Sequence, residues 1–189
     1  HDGILVLDND VPVGTLAKDY FNIENDMIFE IGLTPNRADA MGHYGVARDL
    51  LVALKFKKII PENTTLNSLK RINKSLKKHA LTIAVQAPID CPRYSGQIIT
   101  GVKVSESPKW LKNKLQAIGL NPINNIVDVT NFVLHDLGQP LHAFDLNKIS
   151  GEKIVIKKAQ HNSSFITLDQ QERKLDENDL MICNTNEPM

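Results

Sequence analysis

The chain has 189 residues, 42% of them hydrophobic and 23% charged, the profile of a globular protein with a core. Its 22 Lys and Arg balance 22 Asp and Glu, which argues against a role as the main electrostatic grip on a polyanion. Cys91 and Cys183 stand too far apart for a zinc spacing and read as reduced thiols of a cytoplasmic protein. No apolar run approaches the roughly 20 residues of a membrane-spanning helix.

In chain order, Ile4 to Leu7 reads as a short strand stopped by the turn signal Asp8-Asn9-Asp10. Val13 to Phe21 reads as a short helix with Leu16 and Phe21 as core anchors, and Met27 to Leu33 as a strand broken by Thr34-Pro35-Asn36-Arg37. From Ala38 to Leu54 the apolar residues Met41, Val46, Leu50 and Leu54 recur near helical spacing. Pro61 to Lys78 is a polar connection whose Lys70, Arg71, Lys74, Lys77 and Lys78 read as a solvated face, with an RNA patch as the alternative.

Ala80 to Val85 alternates as a strand, and Tyr94 to Val104 reads as a second, glycine-punctuated one. Ser107-Pro108 opens a helix, with Ser as N-cap and Pro at the first helical position. That helix carries Trp110, Leu111, Leu115 and Ile118 and stops at Gly119. After the turn Asn121 to Asn125, Ile126 to Leu137 forms a further helix closed by Gly138-Gln139-Pro140. Lys153 to Lys157, Ser164 to Leu168 and Leu180 to Cys183 are strands. Helices and strands mix without a βαβ repeat, so the expected class is α+β, mixed sheets with packed helices. The chain begins at His1 and ends at Met189 just after an apolar run; both ends are expected to be cuts inside a longer polypeptide.

Four stretches concentrate specific polar residues beside Gly and Pro. In Thr34-Pro35-Asn36-Arg37-Ala38-Asp39, followed by His43, the bland reading is a helix entrance in which Asn36 caps and Arg37 pairs with Asp39. Asp90-Cys91-Pro92-Arg93-Tyr94 leads into a strand. In Asn121 to Asn131, the residues Asp128, Thr130 and Asn131 interrupt an apolar segment. Buried polar groups need partners, so these three either satisfy the preceding turn or line a polar pocket. In Gly138-Gln139-Pro140-Leu141-His142-Ala143-Phe144-Asp145, a histidine near Phe and Leu reads on its own as a packed or loop residue, though proline and its polar neighbours can hold it in place. No glycine-rich phosphate loop, HExxH, zinc cysteine pair or GxSxG elbow occurs. No ATP-using activity can therefore be located in these residues; if they act on a substrate, the expected chemistry is hydrolysis of an already activated bond by a positioned water.

Together, TPNRADAMGHYGVARDL, CPRYSG, NPINNIVDVTN and LGQPLHAFD, in this order and spacing, resemble the phenylalanyl-tRNA synthetase β-chain family. The resemblance implies a B3/B4-like fold truncated at both ends. Residues 1–26 resemble the segment returning from an inserted OB-fold (B1-like), and residues 27–189 the B3/B4 tRNA-editing domain, incomplete at its C-terminal end. It further implies an α2β2 cytoplasmic ligase joining phenylalanine to tRNA(Phe) with ATP and Mg2+, its synthetic site on the α subunit, with no cofactor in these residues and no membrane partner. The β chain of that family hydrolyses tyrosine wrongly attached to tRNA(Phe). An apolar pocket shaped for Phe rejects an added hydroxyl poorly, whereas a second site that hydrogen-bonds the hydroxyl inverts the preference.

The resemblance casts His142 as the catalytic-site histidine, orienting the ester or the attacking water. Thr130, Asn131, Gln139 and Pro140 match pocket-wall segments. Asn121 stands where some members carry arginine. The family's glycine-rich AG-x-x-GG stretch and the glutamate that reads the tyrosine hydroxyl are expected beyond Met189, leaving half a pocket and little editing by these residues alone. The alternatives are a non-catalytic tRNA-binding or subunit-docking module, and a free-standing editing protein, against which the OB-return segment argues.

Overall fold

A computed structural model describes residues 6–23, 25–66, 81–167 and 170–189. The chain folds as two compact units. The first comprises the described residues of His1–Leu66 with Val104–Leu141, the second those of Asn67–Lys103 with His142–Met189. The class is α+β, as expected. Among the described residues no helix is long and apolar enough to cross a membrane.

The first unit is helical. It contains α1 (Ala17–Tyr20), a 3-10 turn (Ala38–Ala40), α2 (His43–Phe56), α3 (Lys109–Ala117) and α4 (Asn125–Leu137). Its centre is the α3–α4 pair. Leu111 and Leu115, one helical turn apart and each 1% exposed, form the buried stripe of α3. Trp110 meets Phe132 of α4 edge to face at 5.4 Å.

The end of α3 follows its sequence. Gly119 at φ 82° lets its own N–H bond Gln116 O and the Leu120 N–H bond Leu115 O, both at 3.0 Å, the paired closure of a Schellman motif. Its start departs from expectation. The Pro108 carbonyl accepts from Leu111 and Lys112, so Pro108 is the N-cap. The Ser107 hydroxyl does not cap; it donates to the buried Asp128 carboxylate, a charge-assisted bond stronger than a neutral cap.

Several expected elements change for lack of neighbours. The single helix over 38–54 is broken at Met41-Gly42, where Gly42 takes φ 153°, and Met41 and Leu50 of its apolar stripe are exposed while Val46 and Leu54 are half-buried. Leu16 and Phe21 are 57% and 46% exposed, not core anchors. One turn of helix offers too short a face to bury both. Residues 27–33 and 94–104 form no strand. Met27 and Phe29 are 74% and 72% exposed. Strand character needs a neighbour for the backbone N–H and C=O groups, and none pairs with either stretch among the described residues. The extended stretch is tethered at Asp26, whose carboxylate accepts from Lys114 of α3 at 2.8 Å and is held below its usual range chiefly by that bond.

The second unit is built on a three-stranded sheet in the order β1 (Thr82–Val85), β2 (Lys153–Lys158), β5 (Leu180–Cys183). β1 and β2 run parallel, in register from Thr82 opposite Lys153 to Val85 opposite Ile156. β5 is antiparallel to β2, with Ile182 opposite Ile156. Ile149, Ile154 and Ile156 form the core, packed by Ile83, Val85, Phe144, Leu146 and Ile182 among others. A hairpin of β3 (Ser164–Ile166) and β4 (Glu172–Lys174) stands apart as its own two-stranded sheet. β4 was not expected, because Glu-Arg-Lys carries no apolar alternation. The expected elements at Ile4-Leu5, Lys70 to Lys78, Ala80 and Leu168 lie outside the described residues.

Candidate functional site

The best-built polar constellation surrounds the start of α4. Asn124, the N-cap, accepts at 3.0 Å from both the Ile126 and Val127 N–H groups, satisfying two of the free donors of the first turn. The Asp128 side chain reaches back over that cap to accept from the Ile123 N–H at 2.8 Å, and takes the Ser107 hydroxyl on its other oxygen. Asp128 is completely buried. An acidic side chain in the first helical turn also interacts favourably with the positive end of the helix dipole. Of the two readings left open for Asp128, the structure selects satisfaction of the preceding turn. Thr130 instead donates its hydroxyl to Val127 O within α4 at 2.7 Å, a bond of the helix to itself. Asn131 is half-buried beside it, and Asn121 is exposed in the connection between α3 and α4.

At the other end, α4 stops on Gly138, whose φ of 74° is the left-handed cap. Gln139 and Pro140 follow, both exposed, and the Gln139 amide donates to Pro140 O at 3.2 Å. The boundary between the units falls between Leu141 and His142. Asn121, Thr130, Asn131, Gln139 and Pro140 therefore belong to the first unit, on α4 or its flanking turns, while His142 opens the second.

His142 is exposed, and its ring stacks on Phe144 with centroids 4.2 Å apart and planes at 22°. Phe144 packs against the Ile149–Ile154–Ile156 core, so the imidazole plane is held by an aromatic floor anchored to the sheet. The neighbouring Asp145 is committed elsewhere, accepting from the Asn147 N–H at 3.0 Å. Among the described residues no carboxylate hydrogen-bonds the His142 ring, so the arrangement orients an imidazole without the acid partner of a triad. Sequence reasoning missed Phe144, although the His-x-Phe spacing was its signal.

The remaining constellations are structural. Arg37 forms a two-pronged pair with Asp39 at 2.9 and 3.1 Å and also bonds Asp49, while Arg48 closes on Asp39. The expected Arg37–Asp39 pairing is present; the expected Asn36 cap is not, since Arg37 takes the cap position. The Arg37 hydrogen bond is the main cause holding the Asp39 carboxyl below its usual range. A depressed carboxylate stabilises above its unfolded pKa and loses that contribution as pH falls through the folded value. Acid titration followed by helical circular dichroism is therefore expected to loosen the turn preceding α2 only once the pH falls below the ordinary carboxylate range. Asp39→Asn is expected to remove that step, and salt to weaken it.

A cleft of about 520 Å³ lies where β1 and β2 end, crossed by the 3.4 Å Lys158–Asp90 pair and lined by Gln86, Lys157 and Gln160, with none of the candidate residues in its wall. Among the described residues no three His, Cys, Asp or Glu side chains gather as metal ligands.

Residues 90–189 match the B3/4 domain family. The chain belongs to that family. Along its whole length this B3/4 chain is also similar to phenylalanine–tRNA ligase beta subunits. It is 49% identical over 191 residues to that of Bacteroides fragilis and 48% over 191 residues to that of Bacteroides thetaiotaomicron. To that of Salinibacter ruber it is 42% identical over 193 residues. Each alignment covers 100% of this chain and 23% of the relative, so the B3/4 chain spans about a quarter of the length of these curated relatives.

Proposed function

We propose that this chain is the B3/4 portion of a phenylalanine–tRNA ligase β subunit, and that it contributes one wall of a site hydrolysing tyrosine from mischarged tRNA(Phe). The observation that carries the reading is His142, exposed, stacked on a core-anchored Phe144, and placed two residues after Pro140. The end-to-end similarity to relatives named beta subunits supports the assignment to the ligase.

The aminoacyl ester is already activated, so orientation of the ester and one water supplies much of the needed acceleration. In this reading His142 orients the attacking water or the ester end. Thr130, Asn131, Gln139 and Pro140 belong to the pocket-wall segments of this reading, and Asn121 is a neutral amide among its substrate-binding residues. Thr130 presents mainly its methyl group, since its hydroxyl is turned to Val127 O. Its partners are the α subunit in an α2β2 enzyme and tRNA(Phe), in the cytoplasm. ATP and Mg2+ serve the synthetic site of the α subunit.

The test is His142→Ala in the assembled α2β2 enzyme, with charging by phenylalanine and deacylation of Tyr-tRNA(Phe) measured separately. Deacylation is expected to fall by about tenfold or more while charging is retained. Unchanged deacylation removes His142 from the reaction and leaves a docking or RNA-binding module as the better account.

A further inference from the structure

We infer that Gly138, through a backbone contact with the Met41-Gly42 elbow, is a positioning residue for Gln139 and Pro140; this rests on the editing reading above. The contact joins the two ends of helices far apart in sequence. A Cβ on Gly138 would stand 2.5 Å from Met41 O, and a Cβ on Gly42 would stand 2.8 Å from Gly138 N and 3.2 Å from His135 O. The obstructing atoms are all backbone, so no side-chain rotation relieves the crowding. The last turn of α4 therefore rests directly on the entrance to α2, with a longer-range His43–Asp136 pair at 3.8 Å across the same junction.

This contact gives the Thr34 to Leu50 stretch a purpose that ligand chemistry does not. Its charged residues are spent on one another: Arg37, Asp39, Arg48 and Asp49 form a closed network. The network braces the 3-10 turn at Ala38–Ala40, whose last residue, Ala40, is 2% exposed. The braced elbow then presents Met41 O and Gly42 to Gly138. Immediately after Gly138, in the same unit, come Gln139 and Pro140, two of the six candidate site residues. Pro140 has its φ fixed by its ring, so a displacement at Gly138 reaches Gln139 and Pro140 directly. A misplacement of about 1 Å costs reactions of this kind on the order of a hundredfold.

The test uses the full α2β2 enzyme and three variants. Gly138→Ala breaks the contact. Gly119→Ala is its control, because Gly119 has a similar left-handed φ of 82° but nothing within 4 Å of a Cβ, so it carries the backbone strain without the collision. His142→Ala runs beside them. At a temperature where melting curves show all variants folded, Gly138→Ala is expected to lower kcat for Tyr-tRNA(Phe) deacylation by about tenfold or more, with KM within about twofold. Phenylalanine charging is expected to hold, and Gly119→Ala to keep its deacylation. If His142→Ala abolishes deacylation while Gly138→Ala behaves like Gly119→Ala, the positioning role is overturned and the editing reading stands. If His142→Ala has no effect, the editing reading fails and takes this inference with it. Should Gly138→Ala not assemble, Gly42→Ala, with the looser 2.8 Å contact, decides: a kcat loss supports the inference, and a wild-type kcat overturns it.

Discussion

Asp128→Ala is expected to destabilise the first unit by about 2–4 kcal/mol, read as a shift in its urea unfolding midpoint. The side chain is 0% exposed and accepts from two donors contributed by separate parts of the chain, the Ser107 hydroxyl and the Ile123 N–H. Truncation leaves Ser107, itself buried, with a stranded hydroxyl, and releases the segment that leads into α3. A small cavity adds to the cost. Losing the desolvated charge offsets part of it, which keeps the figure moderate. Asp128→Asn retains the shape and one acceptor, so its cost is expected to be nearer 1 kcal/mol. The decisive measurement is the double-mutant cycle with Ser107→Ala. The two changes share one hydrogen bond, so together they are expected to cost less than the sum of each alone. Strict additivity would sink the account.

Ile156→Ala is expected to cost about 2–5 kcal/mol in the second unit, and Ile156→Val about 0.5–1.5 kcal/mol. Ile156 is 1% exposed on the central strand, opposite Val85 on one side and Ile182 on the other. Its carbonyl also accepts from the Gln86 N–H at 2.8 Å, where the chain leaves β1. Because Phe144 packs on the same cluster, the alanine variant is expected to loosen the His142–Phe144 stack as well. A histidine ring resonance that loses its aromatic shift in the folded variant would report this. Equal costs for the alanine and valine variants would contradict the placement of Ile156 at the centre of the core.

Much of the local structure was legible because its causes are local. The Gly119 and Gly138 stops, the helix that follows the Asn121 to Asn125 turn, and the strands at Lys153–Lys158 and Leu180–Cys183 follow from residues within a few positions of each element. The errors arose where a distant partner, or its absence, decides. Residues 27–33 and 94–104 have strand-like composition but no neighbouring backbone to pair with. Ser107 has the composition of an N-cap, yet the carboxylate of Asp128, 21 positions away, takes its hydroxyl. Helical spacing runs through Ala38 to Leu54, but the break at Gly42 answers to a contact with Gly138, which no local pattern encodes.

The candidate site divides in the same way. The sequence by itself determined the family, through four ordered motifs, and picked out His142 with the residues on either side of it, because residue identity and spacing carry that information. Only the tertiary structure decided which partner each polar side chain meets: Asp128 satisfies a helix start, Thr130 bonds back to its own helix, Asp145 caps a turn, and the His142 ring stacks on Phe144. The physical reason is that a hydrogen bond or ring stack depends on which atoms arrive within a few ångströms of each other, and folding brings them there from positions that the linear chain leaves unrelated.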